Sequence, residues 1–457
     1  MANLFKQSHS KQKGKTSLTE RGASKKGNAR ANAQVAGLRF GKSKNAADTS
    51  ESQKTNTVTI EDLDWMGNGV VRGNPMVFVE GALVGETCDI EVVSSKKKVI
   101  NARATNIHSP SDERQAPFCP VFDVCGGCQL QHIKPDSALE QRDRALKVMM
   151  ERHLAMKPHV WQAPLAGRRP QYRRKARLAI DARNPTQIKL GFREANSSNV
   201  INVETCPILV DPLSKLIGPL RDALTGFESA RHIGHISLIA GDNTSHLVIK
   251  HTKALEAELI DAVSELVSTS SSVGVCGIEL KLENKQGQIR SVGRGTDMVM
   301  NTVNGCSISP SANDFIQINK VVNEKMVNQA IGWLNPKPNE RIADWFSGLG
   351  NFTLPIAKLG AKVQAVEGVA EMVRRAKDNA QQQGIENVEW LHLDLADKIN
   401  VEASLQQGFD KVLLDPSREG ALTVCHALVK ALPKTIVYVS CTPSTFSRDA
   451  KVLIDGG

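Results

Sequence analysis

From about Ile316 onward the chain alternates strand-like and helical runs, and this alternation limits the fold more than any other feature of the sequence. Strands are predicted at Arg341–Phe346, Lys362–Val366, Val388–Leu393, Lys411–Leu414 and Thr435–Ser440, with helical segments between them. Short apolar runs separated by helices build βαβ units, hence an open parallel sheet with both faces covered. Such sheets bind their ligands at the carboxyl ends of the strands.

Three features sit at those ends. Ala343-Asp344-Trp345-Phe346-Ser347-Gly348-Leu349-Gly350-Asn351-Phe352 follows the first strand, and its glycines let a ligand approach the backbone. The next strand ends at Glu367, about 20 residues on, where an acid can accept ribose hydroxyls. The loop departs from G-x-G-x-x-G, which favours S-adenosylmethionine over a dinucleotide, and Asp394 and Asp415-Pro416 follow the third and fourth strands. Finally, Tyr438-Val-Ser-Cys441-Thr-Pro443 brings a thiol to the same edge. Pro443 biases Thr442 toward extended backbone, so the chain should turn there. Cys441 is read as a nucleophile or, alternatively, as a buried structural cysteine.

Upstream, residues 110–310 read as mixed α+β. Ser137–Leu154 is predicted helical and Gln171–Ile180 a strand whose Arg173, Lys175 and Arg177 share one face, either an RNA-facing edge or a solvated surface. Cys119, Cys125 and Cys128 are spaced C-x5-C-x2-C around two glycines, and Cys206-Pro207 lies far downstream. Four such thiols can bind zinc or a [4Fe–4S] cluster, and the Cys-Pro pair favours iron and sulfur over zinc or unligated thiols. Between Asn56 and Ser109 some five short strands broken by glycine predict a small barrel of the OB type, a fold that often binds RNA.

Charge separates the N-terminus from the rest. Residues 1–50 carry eleven Lys and Arg against Glu20 and Asp48, whereas the remainder of the chain is close to neutral. With almost no large apolar side chains this tail is expected to be disordered, and it suits a polyanion such as nucleic acid or serves as a solubilising extension. No apolar run approaches the roughly 18 residues of a membrane span, and the first residues lack a signal-peptide core. Nine cysteines in 457 residues are too sparse for a disulfide scaffold. A soluble, cytoplasmic protein is expected.

Together these residues resemble the RNA (uracil-C5)-methyltransferase family, in the branch with an N-terminal TRAM domain that acts on 23S ribosomal RNA. The resemblance spans about residue 55 to 457. It implies that Cys119, Cys125, Cys128 and Cys206 ligate a [4Fe–4S] cluster and that Cys441 is the nucleophile. It also implies that Gln317, within Ser309-Pro310…Asp314-Phe-Ile-Gln317-Ile-Asn319, contacts S-adenosylmethionine together with Phe346, Asn351, Glu367, Asp394 and Asp415. Ser347 stands where relatives usually carry cysteine.

The expected organisation is a basic tail at 1–52, a TRAM/OB domain at 53–110, a central α+β iron–sulfur domain at 111–312 and a Rossmann-like methyltransferase domain at 313–457. The family continues past the Cys441 strand with a His-rich segment and a glutamate base, so this domain is expected to be C-terminally incomplete and the base is assigned to no residue present. The expected partner is 23S ribosomal RNA, with no membrane and no obligate protein partner. Alternative readings are a non-catalytic RNA-binding or ribosome-assembly factor, a tRNA uracil-C5 methyltransferase, and an iron–sulfur redox enzyme.

Overall fold

A computed structural model describes residues 56–271, 277–293 and 295–457. The basic tail lies outside them. Six strands open the described chain: β1 (Asn56–Thr59), β2 (Asp62–Leu63), β3 (Gly69–Val71), β4 (Met76–Glu80), β5 (Thr87–Lys96) and β6 (Val99–Ser109). They form one sheet in the order β1-β5-β6-β4-β3-β2. Its two edge strands are separated by only two residues, so the sheet must curl back on itself, and Ile60, Val79, Ala82 and Cys88 fill the interior. The expected run at Met66–Val70 is a strand only from Gly69. Before it, Asp64 accepts the Asn68 N–H at 2.8 Å and closes a turn.

A buried ion pair latches the curled sheet to the segment that leads toward the cysteines. Glu86 accepts from Arg114 Nε at 2.6 Å and Nη2 at 2.7 Å, and from the Leu83 and Ser111 N–H groups. Burial opposes the charge on Glu86, but Arg114 and these amides outweigh it and hold the carboxyl below its ordinary value.

Helix α1 (Pro135–Leu154) starts two residues earlier than predicted, because Pro135 has the backbone angle suited to a first turn. The central sheet contains β7 (Lys175–Asp181), β8 (Lys189–Arg193), β9 (Val200–Asn202), β10 (Ile233–Ala240), β11 (Thr244–His251), β12 (Gly277–Glu283) and β13 (Ile289–Ser291). Its order is β13-β12-β11-β10-β7-β8-β9, with only β11 and β12 parallel. The short α2 (Asp211–Ser214), α3 (Ile217–Leu224) and α4 (Ala257–Ser271) accompany it, and Leu178, Leu220, Ile236, Leu247 and Val263 share one core.

The predicted basic strand proves shorter. Residues 171–174 lie outside β7, with Arg173 bridging Leu209 and Asn319 instead. Lys175 turns inward to donate to the carbonyls of Ala312 and Asp314 at 2.9 and 2.7 Å, and Arg174 pairs with Asp242. The charges along this segment therefore tie the sheet to the next region, because buried ammonium and guanidinium groups need acceptors.

A small hairpin of β14 (Met300–Asn301) and β15 (Ser307–Ile308) leads to α5 (Lys320–Leu334), whose cap is Asn319, accepting from the Val322 N–H. The remaining elements are β16 (Arg341–Trp345), α6 (Thr353–Lys358), β17 (Lys362–Glu367), α7 (Ala370–Gln382), β18 (Val388–His392), α8 (Lys398–Leu405), β19 (Lys411–Leu414), α9 (Leu422–Ala431), β20 (Thr435–Tyr438) and α10 (Pro443–Asp455). Their strands pair in parallel in the order β18-β17-β16-β19-β20. Every residue of β19 and four of five in β16 are buried, as the centre of a two-sided sheet requires. Strand order reverses between β16 and β19, which opens a crevice at their carboxyl ends. Among the described residues no helix is long and apolar enough to cross a membrane.

Candidate functional site

The loop after β16 rises over that crevice. Phe346 and Ser347 both donate their N–H groups to the Val366 carbonyl, at 2.8 and 3.1 Å, which extends the ladder one step and then bends the chain. Phe346, Gly348 and Gly350 all have positive φ. A side chain on Gly350 would meet Leu354 at 2.9 Å and Trp390 at 3.3 Å, so glycine is required there. Glu367, at the end of β17, accepts the Gly348 N–H at 3.1 Å and the Val369 N–H at 3.0 Å. A third N–H, from Gly368, also favours its charged form. Burial raises its pKa.

The other predicted positions differ in setting. Asn351 pairs its amide reciprocally with Asn323 of α5, at 3.0 Å in both directions. Gln317 is half-buried just before α5, and beside it Phe315 exposes 72% of its surface. Asp394 is exposed beyond β18 and accepts the Ala396 N–H. Asp415 leaves β19 next to the glycine loop, its N–H 3.3 Å from the Trp345 carbonyl.

Sequence reasoning gives Asp344 no role in the site, yet it lies fully buried beneath the loop, held by the Thr353 hydroxyl, with no partner for its second oxygen among the described residues. Burial pushes Asp344 and Asp415 each up to about 7, and the neighbouring carboxylates Asp415 and Glu367 add to the effect at Asp344. The only signal in the sequence is an acid inside an otherwise apolar strand.

In the unfolded chain these acids titrate near 4. Between about 4 and about 7 the folded state therefore binds more protons than the unfolded one, and stability falls as pH rises through that window. Asp344→Asn should raise the melting temperature at pH 8 by a few degrees while leaving it nearly unchanged at pH 4.5. Thermal denaturation at the two pH values measures this, and equal shifts at both would refute it.

Cys441 is exposed, between the end of β20 and the first turn of α10, with its sulfur 3.7 Å from the Thr442 hydroxyl. Thr442 is extended, at φ −136° and ψ 101°, as its place before Pro443 predicts. By contrast Cys425, on α9, is fully buried. The thiol's support comes from Asp449 of α10, itself buried, which accepts from the Tyr438 hydroxyl at 2.7 Å, the Ala421 N–H at 2.6 Å and Arg448 Nε at 2.8 Å. One carboxylate thus joins β20, the loop before α9 and α10. Helix α1 reaches the same helix, with His153 Nδ1 at 3.2 Å from Ser447 Oγ.

Cys119, Cys125, Cys128 and Cys206 are all half-buried and close enough to perturb one another electrostatically. The loop carrying the first three is pinned by Cys119 N–H to Gln131 Oε1, at 3.1 Å, and by Gly126 N–H to the Arg193 carbonyl. Burial raises Cys125 and Cys128 and pushes Cys206 up to about 11. Opposing this, the Gly127 N–H at Cys125 and the Ile208 and Leu209 N–H groups at Cys206 favour thiolates. Donors aimed at sulfur suit a ligated thiolate. Among the described residues, no three His, Cys, Asp or Glu side chains converge as a single-ion site would require. Thiolates on one zinc would lie about 3.8 Å apart. A [4Fe–4S] cluster instead places each thiolate on its own iron, and four cysteine sulfurs are the donor set such a cluster takes.

The chain is similar to known proteins over most of its length. The tRNA (Uracil-5-)-methyltransferase family model matches residues 134–456. The 23S rRNA (uracil(1939)-C(5))-methyltransferase RlmD of Alteromonas mediterranea is 73% identical over 459 aligned positions, covering 100% of this chain and 94% of that protein. The protein of the same name from Alteromonas naphthalenivorans is 56% identical, covering 88% and 83%, and that of Klebsiella pneumoniae subsp. pneumoniae is 38% identical, covering 88% and 89%. The structure of Pyrococcus abyssi tRNA (uracil-54, C5)-methyltransferase in complex with S-adenosyl-L-homocysteine superposes with a TM-score of 0.66 at 21% identity. It covers 87% of this chain and 92% of that one, which indicates a shared fold.

Proposed function

Given that the chain belongs to the tRNA (uracil-5-)-methyltransferase family, we propose that it transfers a methyl group from S-adenosylmethionine to C5 of one uridine in 23S ribosomal RNA. The observation that carries this reading is an exposed thiol, Cys441, at the same sheet edge as the glycine loop and its acids. Ribosomal rather than transfer RNA is favoured because the curated relatives that match at 38–73% identity over 88–100% of the chain are 23S rRNA enzymes, whereas the tRNA enzyme shares the fold at 21% identity.

Glu367 would hold the ribose of the methyl donor, and Gln317, Phe346, Asn351, Asp394 and Asp415 would complete its contacts. When bound, S-adenosylmethionine supplies an electrophilic sulfonium methyl group. Cys119, Cys125, Cys128 and Cys206 would hold a [4Fe–4S] cluster, which supplies a cross-link between the 119–128 loop and Cys206. Methyl transfer has no redox step, so none is routed through it.

C5 of uracil is too poor a nucleophile to take a methyl group unaided. The Cys441 thiolate adds to C6, and the electron pair of the C5–C6 double bond moves toward C5 and O4 as an enolate. C5 then accepts the methyl group. A base removes the C5 proton, the double bond re-forms, and the C6–sulfur bond breaks to return the thiolate. The uridine must be turned out of its stack to reach this edge, and the exposed ring of Phe315 is a surface on which a neighbouring base can stack.

Incubation with labelled methyl donor and large-subunit RNA from a strain lacking the modification tests the reading. About one methyl group per 23S RNA, at C5 of a single uridine, is expected. Label in transfer RNA alone would move the assignment to the other branch, and no label in either would leave an RNA-binding factor.

A further inference from the structure

Five acids are buried among the described residues: Glu86, Glu283, Asp314, Asp344 and Asp449. Four of them meet a cation, Glu86 with Arg114, Glu283 with Lys250, Asp314 with Arg375 and Asp449 with Arg448. Asp344 has no such partner among the described residues; it meets the Thr353 hydroxyl of α6. The charges that act on it carry its own sign: Asp415, just past β19, and Glu367, at the end of β17. His392, at the end of β18, favours the charge on Glu367, but its ring is exposed and its Nε2 lies 3.2 Å from the Gly368 carbonyl. A buried carboxylate with no counter-ion must either keep a proton or meet a cation that enters. Burial pushes Asp344 and Asp415 each up to about 7, so near neutral pH they stand between those two states.

We propose that Asp344, with Glu367 and Asp415, is the counter-charge for the sulfonium of the methyl donor, and that Asp344 makes the site distinguish S-adenosylmethionine from S-adenosylhomocysteine. The two ligands share their adenosine and amino-acid groups and differ by one methyl group and one positive charge. The three acids come from the adjacent strands β17, β16 and β19, at the edge where the glycine loop rises. Asp344 has no accessible surface, so it acts through its charge and not by contact, across a medium that screens it poorly. Binding of the cation favours the ionised acids and sends a proton to solvent. Once the methyl group has gone to C5 the sulfur is a neutral thioether, and the acids take a proton back from solvent. The C5 proton leaves separately, through the base. The inference rests on the S-adenosylmethionine-dependent reading and adds a specificity determinant to that site.

Calorimetric titration of the cluster-loaded full chain with each ligand at pH 7, in phosphate and in Tris, counts the protons exchanged, because the two buffers differ in ionisation enthalpy. S-adenosylmethionine should release about half a proton more per chain than S-adenosylhomocysteine. The ratio of dissociation constants, S-adenosylhomocysteine over S-adenosylmethionine, should rise about tenfold between pH 5.5 and pH 7.5, since only the cation gains from ionised acids. Asp344→Asn should remove most of the extra proton and flatten the ratio, and Asp415→Asn should do so in part. The amino group of each ligand titrates alike in wild type and variants, so the comparison isolates the acids. Equal proton release by the two ligands in the wild type would overturn the assignment whatever the variants do, as would an extra proton that survives undiminished in Asp344→Asn. A wild-type chain that bound neither ligand would overturn the functional reading with it.

Discussion

Cys441→Ala should lower methyl transfer by at least about 10⁴-fold, because without a sulfur at C6 the uracil ring never gains the electron density at C5 that the reaction needs. The sharper measurement uses RNA carrying 5-fluorouridine at the target. The wild-type thiolate adds, the methyl group is transferred, and the reaction stalls because fluorine cannot leave as a cation. A covalent protein–RNA adduct should therefore persist on a denaturing gel. Cys441→Ala should show none, while its affinity for S-adenosylhomocysteine stays at the wild-type value. Cys425→Ala is the matched control. It removes a sulfur from the packed interior of α9, at a cost of about 1 kcal/mol in stability, and should form the adduct normally. An adduct that survives the loss of Cys441 would overturn the mechanism.

Loss of the cluster should have the second largest effect. Purified without oxygen, the protein should be brown and carry about four irons. Cys206→Ser should bring the iron content near zero. A ligand present at a thousand times its dissociation constant contributes about 4 kcal/mol, so the melting temperature should fall by roughly 10 °C. The fall should be accompanied by protease sensitivity between residues 119 and 128, since Cys206 is the distant fourth donor. RNA affinity should drop with it, while S-adenosylhomocysteine binding at the far sheet survives. Stoichiometric zinc in the native protein, with no iron, would refute the assignment.

Much of this is legible in the chain itself, for physical reasons. The parallel sheet can be read because its buried strands are nearly continuous apolar runs punctuated by helices, and the turn that carries Cys441 because Pro443 biases Thr442 toward extended backbone. The cysteine loop can be read from its C-x5-C-x2-C spacing, whereas Cys206 is joined to it only by its following proline and by the family resemblance. Less legible are groups whose role depends on what folds against them. Asp344 is one acid among many until Thr353 and the glycine loop close over it. Lys175 looks like part of an exposed basic face, yet its ammonium is taken up by two carbonyls more than a hundred residues away. The predicted strands run one or two residues too long at β16, β18 and β20, where Phe346, Leu393 and Val439 each donate once more to the neighbouring strand before the chain turns away.

The carboxylate of Asp449 has an implication for how this protein can vary. Gly420 sits at φ +80°, and a side chain there would come within 2.4 Å of Asp449 Oδ2. That oxygen also receives the Tyr438 hydroxyl and the Ala421 N–H. A larger residue at 420, an amide at 449 or phenylalanine at 438 each disturbs the partners of the other two. In a lineage of such proteins these three positions should therefore be inherited as a block. A change at one should be tolerated only where the others have already changed, even though none of them touches the reacting base.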